Sequence, residues 1–299
     1  MDWPTIIVAA LMIALAIPAW GRAAYRIRSA EPVVAFEPRR NVPWRLGDLL
    51  MIVLFYLLAN FAFHKVCLFI AHSAGDEQVK LLPNPAEETV TAEALAVATA
   101  ASIATNLAAT GFALLWIFSH TDATWSDLGW RRETIRSDVV LGVWVFAAIA
   151  APIYGLQALL SPLTDQQHPI IEVLLREGTP LVYILSGLSA VIVAPLAEEF
   201  FFRMLMQGWM ETMSTRGASL VAEPAEPLPP SPRGGPVLVS SLIFALMHLG
   251  HGTDPIPLFF LALALGYLYQ RTHRLLPSVT VHFCLNACSF LMLCLSRLS

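Results

Sequence analysis

Residues 180–208 read PLVYILSGLSAVIVAPLAEEFFFRMLMQG, and positions 180–197 of that run carry no charged side chain. A helix of about 20 apolar residues spans the hydrocarbon core of a bilayer, so this stretch predicts a membrane span. Inside it stand Glu198, Glu199 and Arg203. An ionisable group at that depth is costly unless it faces a partner or a cavity, and it is by default a functional signal.

Seven further apolar stretches lie at 4–20, 48–72, 92–118, 139–160, 236–251, 256–270 and 277–296. The fold they predict is all-α, a polytopic membrane helix bundle of about eight transmembrane helices. The stretches 236–251 and 256–270 are short, and they read either as two spans or as one re-entrant hairpin. Composition agrees: 57% of the chain is apolar and 13% charged, against about 25% charge in a soluble domain. That deficit excludes a disordered chain, an ordinary cytosolic enzyme and a nucleic-acid binder with a basic stripe. The expected partner is the lipid bilayer, with no nucleic acid.

Short cytoplasmic loops accumulate Lys and Arg. Segments 21–46 (Arg22, Arg26, Arg28, Arg39, Arg40, Arg45), 119–137 (Arg131, Arg132, Arg136), 209–235 (Arg216, Arg233) and 271–276 (Arg271, Arg274) hold 13 of the 18 basic residues. These segments should face the cytoplasm, with both termini outside, in a multi-pass protein of the cell (inner) membrane. The first span has no basic residue before it and reads as an anchor rather than a cleaved signal. Residues 73–91 are acidic and suit an outside loop, and the proline-rich 221–235 suits a cytoplasmic linker. Cys67, Cys284, Cys288 and Cys294 all sit in apolar stretches without a CxxC pair, so they read as small packing residues.

Glu199 and Arg203 are four apart and can pair on one helix face. Glu198 points about 100° away and lacks a local partner, which a purely structural cluster would not tolerate cheaply. Pro195 should kink the helix just before them. Two other spans hold polar groups at similar depth: His248, four residues after Phe244, and His282, four residues before Asn286. Glu198 and His248 could hold a water, with the carboxylate as general base, while His282 and Asn286 could donate to one oxygen. Those are the parts needed to hydrolyse an amide. Asn106, His64 and Lys65 receive no role.

In this order on separate apolar segments, EExxxR (Glu198, Glu199, Arg203), FxxxH (Phe244, His248) and HxxxN (His282, Asn286) resemble the CAAX protease and bacteriocin-processing family of intramembrane proteases. The string LGYLYQRTH at 265–273 is also similar, and the likeness covers roughly 139–296. It implies a protease core at 138–299, in which the proline-rich loop at 221–235 departs from the compact family pattern; 1–137, N-terminal membrane helices and cytoplasmic loops, carry no motif. It further implies an endopeptidase, nominally of a metalloprotease family, in which Glu198 and His248 activate water. His282 and Asn286 would stabilise the oxyanion, with Glu199 and Arg203 in support. The substrate partner would be a peptide or lipidated protein, membrane-associated or CAAX-type. Glu198, His248 and His282 could ligate a catalytic zinc, but HExxH is absent, so a metal-independent reaction is the expectation and zinc the alternative.

Three other readings compete. A rhomboid-like serine protease would use Ser189, but it leaves Glu198 unexplained. An aspartyl protease needs two membrane aspartates, and only Asp48 stands at an edge. A proton-linked transporter or regulatory scaffold would also bury Glu and His.

Overall fold

The computed structural model describes residues 3–38, 41–73, 92–163, 174–176, 178–219, 234–250 and 252–296. The acidic loop at 73–91 and the linker at 221–235 lie, apart from their end residues, outside the described residues. The helices are α1 (Trp3–Arg28), α2 (Leu46–Ser73), α3 (Ala92–His120), α4 (Ile135–Leu160), α5 (180–219), α6 (Gly234–Leu246), α7 (Pro255–Thr272) and α8 (Leu275–Ser296). Among the described residues there is no strand.

Local chemistry starts and joins these helices. Thr179 accepts from the Val182 N–H at 3.4 Å, and Pro180 follows at the first helical position, where its missing N–H costs nothing. Asp48, the membrane-edge aspartate, accepts from the Arg45 N–H at 2.8 Å at the start of α2. Its other oxygen takes the Trp116 indole N–H of α3 at 3.0 Å.

Among the described residues six helices are long and apolar enough to cross a membrane: those over Ile6–Arg28, Leu46–Cys67, Ala92–His120, Arg132–Leu163, Pro180–Thr215 and Leu275–Ser296. Of the eight stretches expected, 236–251 and 256–270 are not among these six. α6 has 13 residues, about 20 Å at 1.5 Å per residue, which falls short of a roughly 30 Å core. α7 is longer, but Tyr267, Tyr269, Gln270 and Arg271 make its second half too polar. α6 and α7 pack along each other as a hairpin, through a turn in which Gly250 and Gly252 take positive φ.

Outside, the bundle is apolar: Leu57, Phe61, Phe69, Leu115 and Ile184 all project outward, as suits a lipid-facing surface. Inside, Phe146 and Ala150 of α4 meet Leu261, Leu265 and Leu268 of α7 and Val281 and Leu285 of α8. A second core joins Trp44, Ile52 and Ile117 to Met204, Leu205 and Tyr269.

At one end of the bundle the segment between α1 and α2 is strapped across α5 and α7. Arg271 Nε donates to Val34 O at 2.9 Å and the Glu37 N–H to Arg271 O at 2.8 Å. The Val42 N–H reaches Thr212 at 3.0 Å, and the Trp44 indole reaches Leu205 O at 3.0 Å. Arg274 bonds both Glu37 and the buried Asp138. The basic ends of α1, α2, α4 and α7 therefore share one face.

α4 and α8 approach closely because Gly142 has no side chain. A Cβ there would stand 2.5 Å from Thr280 Cβ and 2.8 Å from Pro277 O, whereas at Gly155 of the same helix it would meet nothing. Small residues let membrane helices pack this way. Gly142→Ala should lower stability in detergent by about 1–3 kcal/mol, the cost of overpacking. Gly155→Ala should leave the thermal midpoint unchanged or slightly raised.

Candidate active site

α5 is not a uniform helix. Leu188–Val193 and Phe200–Gln207 wind as π-helix on either side of the α-helical turn Ala194–Glu199. The Ala194 N–H bonds to Ser189 O, five residues back. The next donor in that pattern would be Pro195, which has no N–H, so the Ala190 carbonyl is left without its backbone partner. Asn286 of α8 fills the gap, its Nδ2 donating to Ala190 O at 2.8 Å. The break expected at Pro195 therefore takes the form of π winding, a feature frequent at functional sites.

The two adjacent glutamates diverge from this turn. Glu199 is fully buried; its Oε2 accepts from Arg203 Nε at 3.0 Å, and its Oε1 faces His282 Nδ1 at 3.0 Å. The Glu198 side chain is 28% exposed, with Oε2 3.8 Å from His282 Nε2. One imidazole thus stands between both carboxylates. Two acids, one guanidinium and one histidine make a cluster whose charges can balance.

His248 lies in the turn after α6, its Nδ1 2.8 Å from Phe244 O. A carbonyl only accepts, so Nδ1 carries the proton, and in the neutral ring Nε2 is left as an acceptor. The Phe244 ring is fully buried. Its centroid lies 4.8 Å from the His248 ring, 6.0 Å from the His282 ring and 5.4 Å from Arg203 Cζ. His248 and Arg203 are both within electrostatic range of Glu198, and so is Tyr56 of α2.

Of the residues expected from sequence, Glu198, Glu199, Arg203 and His282 are joined by direct contacts, and His248 meets them around Phe244. Asn286 is held by the α5 backbone. His64 lines a separate cleft of about 340 Å³ with Asn60, Ser102 and Thr105, Lys65 lies over Phe61, and Asn106 donates back to Ser102 O at 2.9 Å. Sequence reading missed Gln207 and Tyr56 and gave Ser240 no part. Arg203 Nη1 donates to Ser240 Oγ at 3.4 Å, and Ser240 Oγ to Gln207 Oε1 at 3.2 Å. For Gln207 a signal existed: Glu199, Arg203, Gln207 and Glu211 put a polar residue at every fourth position of an apolar helix. Nothing in the sequence marks Tyr56.

Among the described residues no group of three or more His, Cys, Asp or Glu side chains is set to hold a metal ion. His282 turns one nitrogen to each glutamate, and the Nδ1 of His248 is taken by its own helix.

Residues 180–288 match the family model described as type II CAAX prenyl endopeptidase Rce1-like. This segment is similar to the CAAX protease family. The match opens at the first residue of α5, runs into α8 and contains all six residues named above. It supports an intramembrane protease. No curated protein and no solved structure matches the chain.

Removing one partner of a buried pair strands the other charge, at about 3–5 kcal/mol. Arg203→Leu should therefore lower unfolding stability by about that amount. Glu198→Gln, at a partly exposed position, should change it by less than about 1 kcal/mol. Denaturation in detergent micelles compares the two.

Proposed function

We propose that residues 138–299 form the core of an intramembrane endopeptidase that hydrolyses peptide bonds in membrane-associated or CAAX-type substrates, with Glu198 as general base. The observation that carries this reading is the contrast between the two glutamates. Glu199 is sealed and fully paired, whereas Glu198 stays reachable beside two histidines. A carboxylate kept in the bilayer only for structure would be paired like Glu199.

A water held by the Glu198 carboxylate and His248 Nε2 attacks the carbonyl carbon of the scissile bond as Glu198 takes its proton. The new C–O bond pushes the carbonyl electrons onto oxygen. His282 Nε2–H and the second N–H of Asn286 then donate to that oxyanion. His282 donates from Nε2 while Nδ1 points at Glu199, so the ring carries both protons and Glu199 supplies the counter-charge. Glu198 returns its proton to the leaving nitrogen as the C–N bond breaks. Each step draws on this chain's own side chains.

The basic ends gathered with the strap support a cytoplasmic orientation for that end of the bundle and, with it, a site open toward the cytoplasm of a cell (inner) membrane. The helices before residue 138 then contribute Tyr56 and the strap to the core rather than a separate activity.

In proteoliposomes, Glu198→Gln and His248→Ala should each slow peptide cleavage by about 10²–10⁴-fold, the range for a lost general base or its partner. Either variant cleaving at the wild-type rate would refute the mechanism. Chelation followed by zinc should leave the wild-type rate unchanged. A loss on chelation that zinc restores would overturn the metal-free step.

A further inference from the structure

We propose that His273, in the turn between α7 and α8, is a positioning residue for the catalytic cluster, acting through Glu211, Gln207 and Ser240. The inference rests on the peptidase reading above and extends it to the N-terminal strap. His273 has φ 49° and ψ 30°, a left-handed conformation in which a Cβ is disfavoured. Glycine would hold this turn without strain, so what histidine adds there is its ring. That ring is wedged between Phe36 and Tyr269, at centroid distances of 5.7 and 6.1 Å.

Both ring nitrogens are engaged. Nδ1 lies 2.6 Å from Glu37 O of the strap, and Nε2 lies 3.2 Å from Glu211 Oε2 on α5. The other oxygen of Glu211 accepts from Gln207 Nε2 at 2.9 Å, and the same nitrogen donates to Gly266 O at 2.8 Å. Two acceptors on Nε2 fix which way the Gln207 amide faces, so Oε1 turns to Ser240. Ser240 can then accept from Arg203 and share its one proton between Gln207 Oε1 and Val237 O, at 3.2 and 3.1 Å. Arg203 in turn holds Glu199, and Glu199 holds His282.

A continuous line of polar contacts therefore runs from the strap to the imidazole beside Glu198. Glu211 is the link at risk. Without His273 its carboxylate loses the contact that sets its rotamer, the Gln207 amide is free to flip, and Ser240 would then face an N–H in place of an acceptor. The register of Arg203 against Glu199 shifts with it.

Full-length His273→Gly in proteoliposomes tests this, because it relieves the backbone while removing the bridge. Expected are a kcat loss of about tenfold, the scale of coupling through such networks, a KM within about twofold, and a thermal midpoint equal to or above wild type. Gln207→Met breaks the same line further in, so the double variant should be no slower than the slower single. With ¹⁵N-labelled histidine, the His282 ring resonance should move in His273→Gly. An unchanged kcat with an unmoved resonance, or losses that multiply in the double variant, would overturn the inference. If the wild-type protein cleaves no peptide, the peptidase reading fails, and the resonance alone decides whether His273 positions His282.

Discussion

The Glu199 carboxylate, sealed from water and shared between Arg203 and His282, is the constraint on which the site depends. An unpaired charge in that position would be far too costly, so α5 and α8 must meet in one register. Arg203 passes the same demand onward. Its guanidinium needs further acceptors, Ser240 on α6 supplies one, and the Phe244 ring covers its face. Three helices far apart in sequence are thus located by one buried anion. The energetic gain from such a cluster over an apolar core is small. What it provides is a single arrangement, and that arrangement puts His282 beside Glu198.

The same logic of satisfying every polar group in an apolar medium explains the backbone of α5. Two π segments and a proline would leave carbonyls unmet, and the Ala190 carbonyl takes its hydrogen bond from Asn286. Asn286 therefore braces the turn that aims the glutamates, and its second N–H is the one assigned to the oxyanion in the proposed mechanism. Bracing and oxyanion binding are compatible in one amide.

Local patterns carried much of this into the sequence. Run length exposed the long spans, and spacing by four exposed the Glu199–Arg203 pair. What spacing cannot show is contact across the chain. His282 lies 83 positions from Glu199; similar depth and the likeness to a known family put the two motifs in one site without showing which atoms meet. The strap was invisible for another reason. Its arginines mark it as a loop, and charge counting does not register Val42 and Trp44, which are almost fully buried and pin it to α5. The two short stretches were open for a similar reason. Hydropathy measured the apolar stretch at 236–251, but the helix within it stops at Leu246.

That early stop has a chemical consequence. In an uninterrupted helix the N–H of residue 248 would bond to the carbonyl of Phe244. Here the His248 N–H turns to Ala245 O at 3.0 Å, and the Phe244 carbonyl joins the orphans of the helix C-terminus. The His248 ring takes it up through Nδ1. The spacing of four between Phe244 and His248 is thus the reach from a terminal carbonyl to the imidazole that caps it. The cap fixes the tautomer, and the tautomer points a lone pair from Nε2. A full-length span would have used that carbonyl for its own backbone and left the ring free to rotate. The shortness of α6 is what fixes the His248 ring for the water-holding role proposed for it.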